Sequence, residues 1–482
     1  MTSTSDARTT ITISSPDDVI GLVNSSRLRP RRPRLMLAVA LGSIFVDGWD
    51  LGSFGLGAQQ IRQDFDLGTG NWGLDSLPFV SAAVLVGALI GGLVGGWLTD
   101  RVGRYRMMIL DLVLLVFAAA AAGLAPNVES FVAFRFLMGI GVGLDVPVAL
   151  AFIAEVSALA TKGRNVNFAQ VMSTGASAIV FTVALGIHAL GVDQGLWRWA
   201  IGLGAVPALI VLGLRYFASI ESPMWVARHG SVGESVDILR TTYDVDAIDL
   251  VVTDDADSAP KPRPTRPGDV IALFRSPFGR RTLLVSVLVV TQAVEFYAIS
   301  LYTPTILTQL FGTNHLAAVL AVSAAVNAVG AIGAYACTRV VQTTGIRVIA
   351  MIGFVGTATA LGLIAGLYGV LASGFAAVLI AAFYFLHNLG PGYAGTAMGT
   401  LSYPTDVRGT AGGYTQAVTR VGGIIGAYAF PVLTAAHGQR FTIGAIVVAP
   451  LVALVALALI RWEPIGQDVD AAGMPDPSPV GT

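Results

Sequence analysis

The chain has 482 residues, of which 54% are hydrophobic and 12% charged, and its formal net charge is −1. Its mean hydropathy is +0.71. Soluble domains carry about 25% charged residues, so an ordinary soluble domain is excluded and a polytopic membrane protein is indicated. The near-zero charge gives no argument for nucleic acid as a partner. The single cysteine, Cys337, allows no internal disulfide and implies no metal cluster.

In chain order, residues 1–26 are rich in Ser, Thr and Asp and read as a flexible tail. The run RLRPRRPR (27–34) precedes the first apolar stretch. Such a run can mimic a nucleic-acid patch; beside a membrane span it reads as a cytoplasmic anchor. Apolar runs of about 20 residues mark spans. Twelve are predicted, near 36–57, 77–98, 107–124, 131–156, 167–190, 197–217, 282–309, 316–338, 348–369, 375–400, 411–433 and 441–460. With the N-terminus inside, inner loops hold Arg101, Arg104, Arg106, Lys162, Arg164, Arg339, Arg347 and Arg408. Outer loops hold Arg62, Arg198 and Arg440. That bias places both termini in the cytoplasm and the chain in the inner (cytoplasmic) membrane.

Residues 218–281 are polar, then Pro-rich, and split the chain into equal halves. The expected layout is a flexible tail (1–35), a six-helix bundle (36–217), a cytoplasmic linker (218–281), a second six-helix bundle (282–462) and a flexible tail (463–482). The fold class is all-α. Two equal halves suit a transporter with its site between them near the bilayer midplane.

The loop after span 2, GGWLTDRVGRYRMM (95–108), sets Gly96, Asp100, Arg101, Gly103, Arg104 and Arg106 in the pattern G-x-L-x-D-R-x-G-R-x-R. This resembles the loop 2–3 signature of the major facilitator superfamily. Arginines at such a helix end can pair with carboxylates of a neighbouring bundle in one conformation and release them in another. In RFLMGIGVGLDVPVALAFIAEVSALATKGR (135–164), Arg135, Gly139, Gly141, Gly143, Asp145, Pro147, Glu155 and Arg164 resemble the sugar-porter-like branch. ESPMWVARHG (221–230) resembles another mark of that branch, with Ile220 and Met224 in place of its Pro and Arg. Ser222 and Pro223 also suit a capped helix start. Asp100, Arg101, Arg104, Glu155, Glu221, Arg164 and Arg408 are the expected gate residues. The second half is more degenerate. Pro391, Pro404, Arg408 and Gly409 match the branch, but Leu401 stands where it has a carboxylate, which puts the symmetry of the two gates in doubt.

Ionisable or strongly polar groups inside spans are the best pointers to function, since each charge there costs about 3 kcal/mol. They are Asp47, Asp50, Arg135, Asp145, Glu295, His387, Asn388 and Arg420. Asp47 and Asp50 are i and i+3 and share a helix face. Their repulsion makes one of them a ready proton acceptor. DGWD (47–50) resembles the D-G-x-D of aromatic acid–proton symporters and the D-x-Y-D of phosphate–proton symporters. Asp50 alone matches the single span-1 Asp of proton-linked sugar porters; the structural alternative is that one of the two aspartates, Asp47 before Asp50, merely pairs with Arg135. Arg420 either binds an anionic substrate or pairs with Glu295 or Asp145. In span 7, Ala293 and Ala298 replace sugar-binding amides of the branch, while Gln292, Tyr302 and Pro304 remain. Gln170 fits the phosphate branch.

The favoured expectation is proton-coupled symport of a small organic carboxylate, aromatic or heterocyclic. Asp50 and Asp47 carry the proton. Arg420, Glu295, Tyr297, Asp145, Gln170, Asn388, His387 and Trp49 bind the substrate, with Phe296 packing its ring. Alternatives are sugar or polyol, phosphate, drug efflux, and a sensor built on the transporter fold. No catalytic constellation is recognisable, so no enzyme is expected, and no metal or cofactor beyond the proton gradient. The expected partners are the lipid bilayer and a small solute, with the protein a monomer.

Overall fold

The computed structural model describes residues 9–25, 27–68, 76–218, 221–246, 248–258, 267–275, 277–311, 315–370 and 373–470. The first half contains α2 (Pro33–Asp64), α3 (Leu77–Val102), α4 (Arg104–Gly123), α5 (Val128–Val156) and α6 (Leu159–Ala189), preceded by α1 (Pro16–Asn24). Its sixth crossing is split into α7 (Leu196–Gly202) and α8 (Ala205–Ala218). The short helices α9 (Pro223–His229) and α10 (Val232–Thr242) follow. The second half opens with α11 (Gly279–Ser300) and α12 (Thr303–Phe311), then α13 (Leu316–Thr344) and α14 (Ile346–Gly366). The helices α15 (Ser373–Leu389), α16 (Pro391–Leu401), α17 (Thr405–Ile446) and α18 (Val448–Leu459) complete it.

Among the described residues, eleven helical stretches are long and apolar enough to cross a membrane, the last spanning Val407–Leu459 over 53 residues. At 1.5 Å per residue that stretch would reach about 80 Å, far beyond a hydrocarbon core of about 30 Å. Gly438, at φ 80°, reverses it into two crossings, which makes twelve. Two predicted single spans are broken. Pro391 supplies no N–H to span 10, and Gly390 beside it leaves helical geometry (φ −132°, ψ −76°). Span 7 breaks just before Pro304.

Glycines set the tightest crossing. A Cβ on Gly87 would meet the Phe136 carbonyl oxygen at 2.1 Å, and one on Gly139 the Val84 carbonyl oxygen at 2.1 Å, so α3 and α5 touch backbone to backbone. Large apolar side chains point outward along α4, α8, α14 and α18, among them Phe117, Leu209, Val355 and Val455, as a lipid-facing surface requires.

The tails depart from expectation. Residues from Thr9 onward are folded, not flexible. The strands β1 (Thr9–Ile13) and β4 (Ile248–Val252) pair in parallel, and β2 (Arg29–Pro30) pairs antiparallel with β3 (Tyr243–Asp244). Two-stranded sheets are marginal alone. Here Ile13, Val19 and Val23 bury against Met224, Val236 and Leu239 of the linker, forming a small cap on one face. The apolar residues of the tail are too few to announce a core, and their partner lies beyond span 6. The last segment is packed as far as Asp470, through Glu463 and Asp470. The linker contains α9, α10 and two strands, with Ser222 capping α9 at 3.2 Å and Pro223 in its first turn, as expected.

Candidate transport site and gates

Apolar clusters join the halves on both faces. On the cap face Val39, Phe152 and Val166 pack in one cluster with Leu284, Val341 and Met398. On the far face Phe54, Ile61 and Trp197 share a cluster with Tyr297, Leu301 and Phe430. Between them lies a cavity of about 40 Å³, lined by residues such as Gly52, Gln170, Ser173, Thr174, Phe296 and Asn327. That is room for a water or two, so the conformation is occluded.

The DGWDLG sequence explains why both acids sit at this interface. Gly48 and Gly52 let α6 approach closely: a Cβ on Gly48 would fall 2.1 Å from the Ser173 carbonyl oxygen, and Ser177 Oγ donates to the Gly48 carbonyl at 2.8 Å. Asp50 Oδ1 is paired with Arg135 Nη1 of α5, both almost fully buried. Arg135 also lies over the Phe54 ring, 4.7 Å from its centroid. Asp50 Oδ2 is buried and accepts no hydrogen bond. One turn earlier, Asp47 faces the other half. Its Oδ2 is 3.5 Å from Arg420 Nη2 of α17, and Arg420 donates to the Tyr297 hydroxyl. Arg420 therefore pairs with Asp47, and neither Glu295 nor Asp145 is its counter-ion.

Gln170 and Asn388 meet across the halves: Gln170 Nε2 donates to Asn388 Oδ1 at 2.6 Å, and Thr174 Oγ1 donates to the same oxygen at 2.8 Å. Glu295 and His387 form a buried pair at 2.8 Å inside the second half, with the Thr357 hydroxyl 3.3 Å from Glu295 Oε2. His387 stacks on Phe296 at 4.7 Å. Two expected substrate ligands lie elsewhere. Asp145 is held by Arg215 of α8 at 2.9 Å, within a fully buried group that includes Asp111 at 3.2 Å and the Ser43 hydroxyl. Trp49 turns its indole N–H to the Ala200 carbonyl at 2.8 Å, into its own half. Sequence reasoning passed over Arg215, although an arginine in the apolar run IVLGLRYFA demands a buried acid, and Asp111 and Asp145 were at hand.

At the cap face, Arg104 Nη2 bonds Glu155 at 2.7 Å with both side chains fully buried. Glu221 accepts the backbone N–H groups of Arg104 (2.9 Å) and Tyr105 (3.2 Å), capping α4 instead of pairing with a guanidinium. Burial raises the Glu221 carboxyl above its ordinary value, against the lowering effect of those N–H groups. Arg101 lies over the Trp97 ring at 4.6 Å. The Asp100 side chain lies outside the described residues. Arg408 of the second half is 3.7 Å from Glu155 and 2.8 Å from Asp470. The guanidinium of Arg408 and the Lys162 ammonium hold the Asp470 carboxyl at about 2, despite its burial. Arg164 is exposed, away from these pairs. On the second half, Glu463 accepts the Arg347 N–H at 2.9 Å, as Glu221 does for Arg104. The carboxylates missing from the second-half motif thus come from behind span 12, where no pattern marked them.

Two six-helix halves around a closed midplane cavity, with buried ion pairs at the cap face, are the architecture of a major facilitator superfamily transporter. The chain belongs to the sugar (and other) transporter family, whose model matches residues 35–462. It is 25% identical over 410 residues to the putative metabolite transport protein YaaU of Escherichia coli, covering 84% of this chain and 86% of that one. It is 29% identical over 300 residues to the probable inositol transporter 2 of Arabidopsis thaliana, covering 61% of this chain and 50% of that one. Among solved structures, the proton:xylose symporter XylE bound to 6-bromo-6-deoxy-D-glucose superposes with TM-score 0.74 at 20% identity, over 91% of this chain and 97% of that one. The partially occluded, inward-open XylE from E. coli gives 0.70 at 19%, over 89% and 99%. At such identities the superpositions speak for the fold.

Proposed function

We propose that the protein is a proton-coupled symporter for a small, neutral, hydroxyl-rich solute such as a polyol. The carrying observation is the chemistry of the central cavity. Its polar lining consists of neutral amides and hydroxyls, including Gln170, Ser173, Thr174, Ser177, Ser300 and Asn327. These groups exchange hydrogen bonds with hydroxyls, and a ligand lacking them would leave buried partners unpaired. The similarity to an inositol transporter supports the same class. Asp50 is the proton carrier. Its unbonded Oδ2 takes the proton, the charge attraction to Arg135 lapses, and α2 is released from α5. The cap face, where the basic loops gather, is the cytoplasmic face.

A second reading keeps the organic carboxylate. The Asp47–Arg420 contact is loose at 3.5 Å and Arg420 Nε is unpartnered, so a substrate carboxylate could displace Asp47. Counterflow in proteoliposomes separates the two. Exchange of myo-inositol or xylose with no exchange of benzoate supports the polyol; the reverse supports the acid. Asp50→Asn should keep counterflow yet lose accumulation driven by a pH gradient. Unimpaired accumulation removes Asp50 as the carrier. Arg420→Lys should raise KM at least tenfold for a carboxylate and far less for a polyol.

A further inference from the structure

A second, larger cavity, of about 590 Å³, opens at the cap face between the N-terminal segment, α6 and α13. Arg29, Arg34, Arg164 and Arg339 line it, and no Asp or Glu does. All four side chains are exposed, and among the described residues none is in an ion pair. Of the nearby acids, Asp246 is taken by Arg31 at 2.7 Å, while Asp244 stands opposite Arg29 in the β2–β3 ladder and offsets part of that one charge. Arg339 is already oriented, its Nε donating to the Tyr335 hydroxyl on the preceding turn at 2.9 Å. The helices α2 and α6 begin at this cavity. Neither has an acidic residue in its first turn, and neither N-cap side chain bonds the open N–H groups. Their dipoles therefore add positive potential to that of the guanidiniums.

The position matters as much as the charge. Arg164 belongs to the first half and Arg339 to the second, so closing the cap face brings like charges to one cavity. The base is apolar, with Leu37 and Phe168, and Tyr335 of α13, which also lines the cavity, is 42% exposed. We propose that this cavity binds a phosphate-bearing anion, the headgroup of an anionic lipid being the favoured source, and that the bound anion bridges the halves and holds the cap face closed. Guanidinium forks suit phosphate oxygens, and the apolar base suits the first methylenes of an acyl chain.

The test uses purified full-length protein in detergent. Its Tm is followed while short-chain phosphatidylglycerol, phosphatidylcholine of the same chain length, or inorganic phosphate is added. Phosphatidylglycerol should raise Tm in a saturable way, and Arg34→Gln/Arg339→Gln should raise the half-saturating concentration about tenfold or more. Inorganic phosphate acting with the same arginine dependence supports the site and makes the free ion its source. Equal shifts from phosphatidylcholine and phosphatidylglycerol, or no shift from either anion, overturn the proposal. So does an unchanged response in the double variant. Should the double variant not fold, Arg339→Gln alone carries the same test, since that side chain is exposed.

Discussion

The two halves solve one problem at their cap-face loops with different residues. In each, a glycine with positive φ (Gly103 at 99°, Gly345 at 83°) ends one helix and starts the next. In each, a glutamate from beyond the sixth crossing, Glu221 or Glu463, accepts a first-turn N–H of the new helix, from Arg104 or Arg347, at 2.9 Å. The cross-helix charges differ. The first half pairs Arg104 with Glu155 from its own bundle, whereas Arg408 must draw Asp470 from the tail because Leu401 offers no carboxylate. A helix end needs a cap wherever the topology repeats. An ion pair needs only some carboxylate within reach, and that carboxylate can migrate along the sequence.

Breaking the first-half pair should cost most. Glu155→Ala removes the buried carboxylate that the Arg104 guanidinium bonds, a loss of about 3–5 kcal/mol, to be seen as a collapse of Tm in detergent; a Tm within a degree of wild type would show that the pair does not hold this face together. Next comes Asp470→Asn, expected to lose about 2 kcal/mol from a carboxyl held near 2 against 3.8. Because that value is depressed, the stabilisation is complete above pH of about 4 and fades as pH falls toward 2. The variant's stability should therefore vary less with pH over that window. Leu401 borders the same small pocket as Arg408 and Asp470, so adding Leu401→Glu to Asp470→Asn should restore part of the lost Tm. Failure to rescue would mean that Asp470 does more than replace the absent acid. Smallest are Glu221→Gln and Glu463→Gln. The single amide oxygen can keep the bond from Arg104 or Arg347 but not the second N–H, of Tyr105 or Ile465, that the other carboxylate oxygen accepts, and each should cost about 1 kcal/mol. Unequal losses would break the symmetry of the caps.

The twelve crossings and their division into halves were legible because span length and charge are local properties. That a span-1 aspartate could pair with Arg135, and the Arg104 loop with Glu155, was foreseeable, since motif spacing sets the helices on which they stand; that Asp50 and not Asp47 takes Arg135 was not. Asp145 was misjudged for a different reason. In a glycine-rich span it looked like a cavity residue, and only the packing of α8 against α4 and α2 brings Arg215 to it. Arg420 could be recognised as needing an acid, but the choice of Asp47 depends on how the halves meet. Asp470 and the N-terminal strand carry no local signal, because each acquires meaning from a partner hundreds of residues away.

That strand has a mechanical consequence. By pairing with Ile248–Val252, and through the bonds from Tyr243 to the Val156 carbonyl (3.0 Å) and from Lys162 to Asn24 (2.8 Å), it rivets the front part of the linker to the first half. At the other end of the linker, Leu273 is buried against Tyr403 and Ala411 of the second half. Each half thus carries its own share of the linker with it.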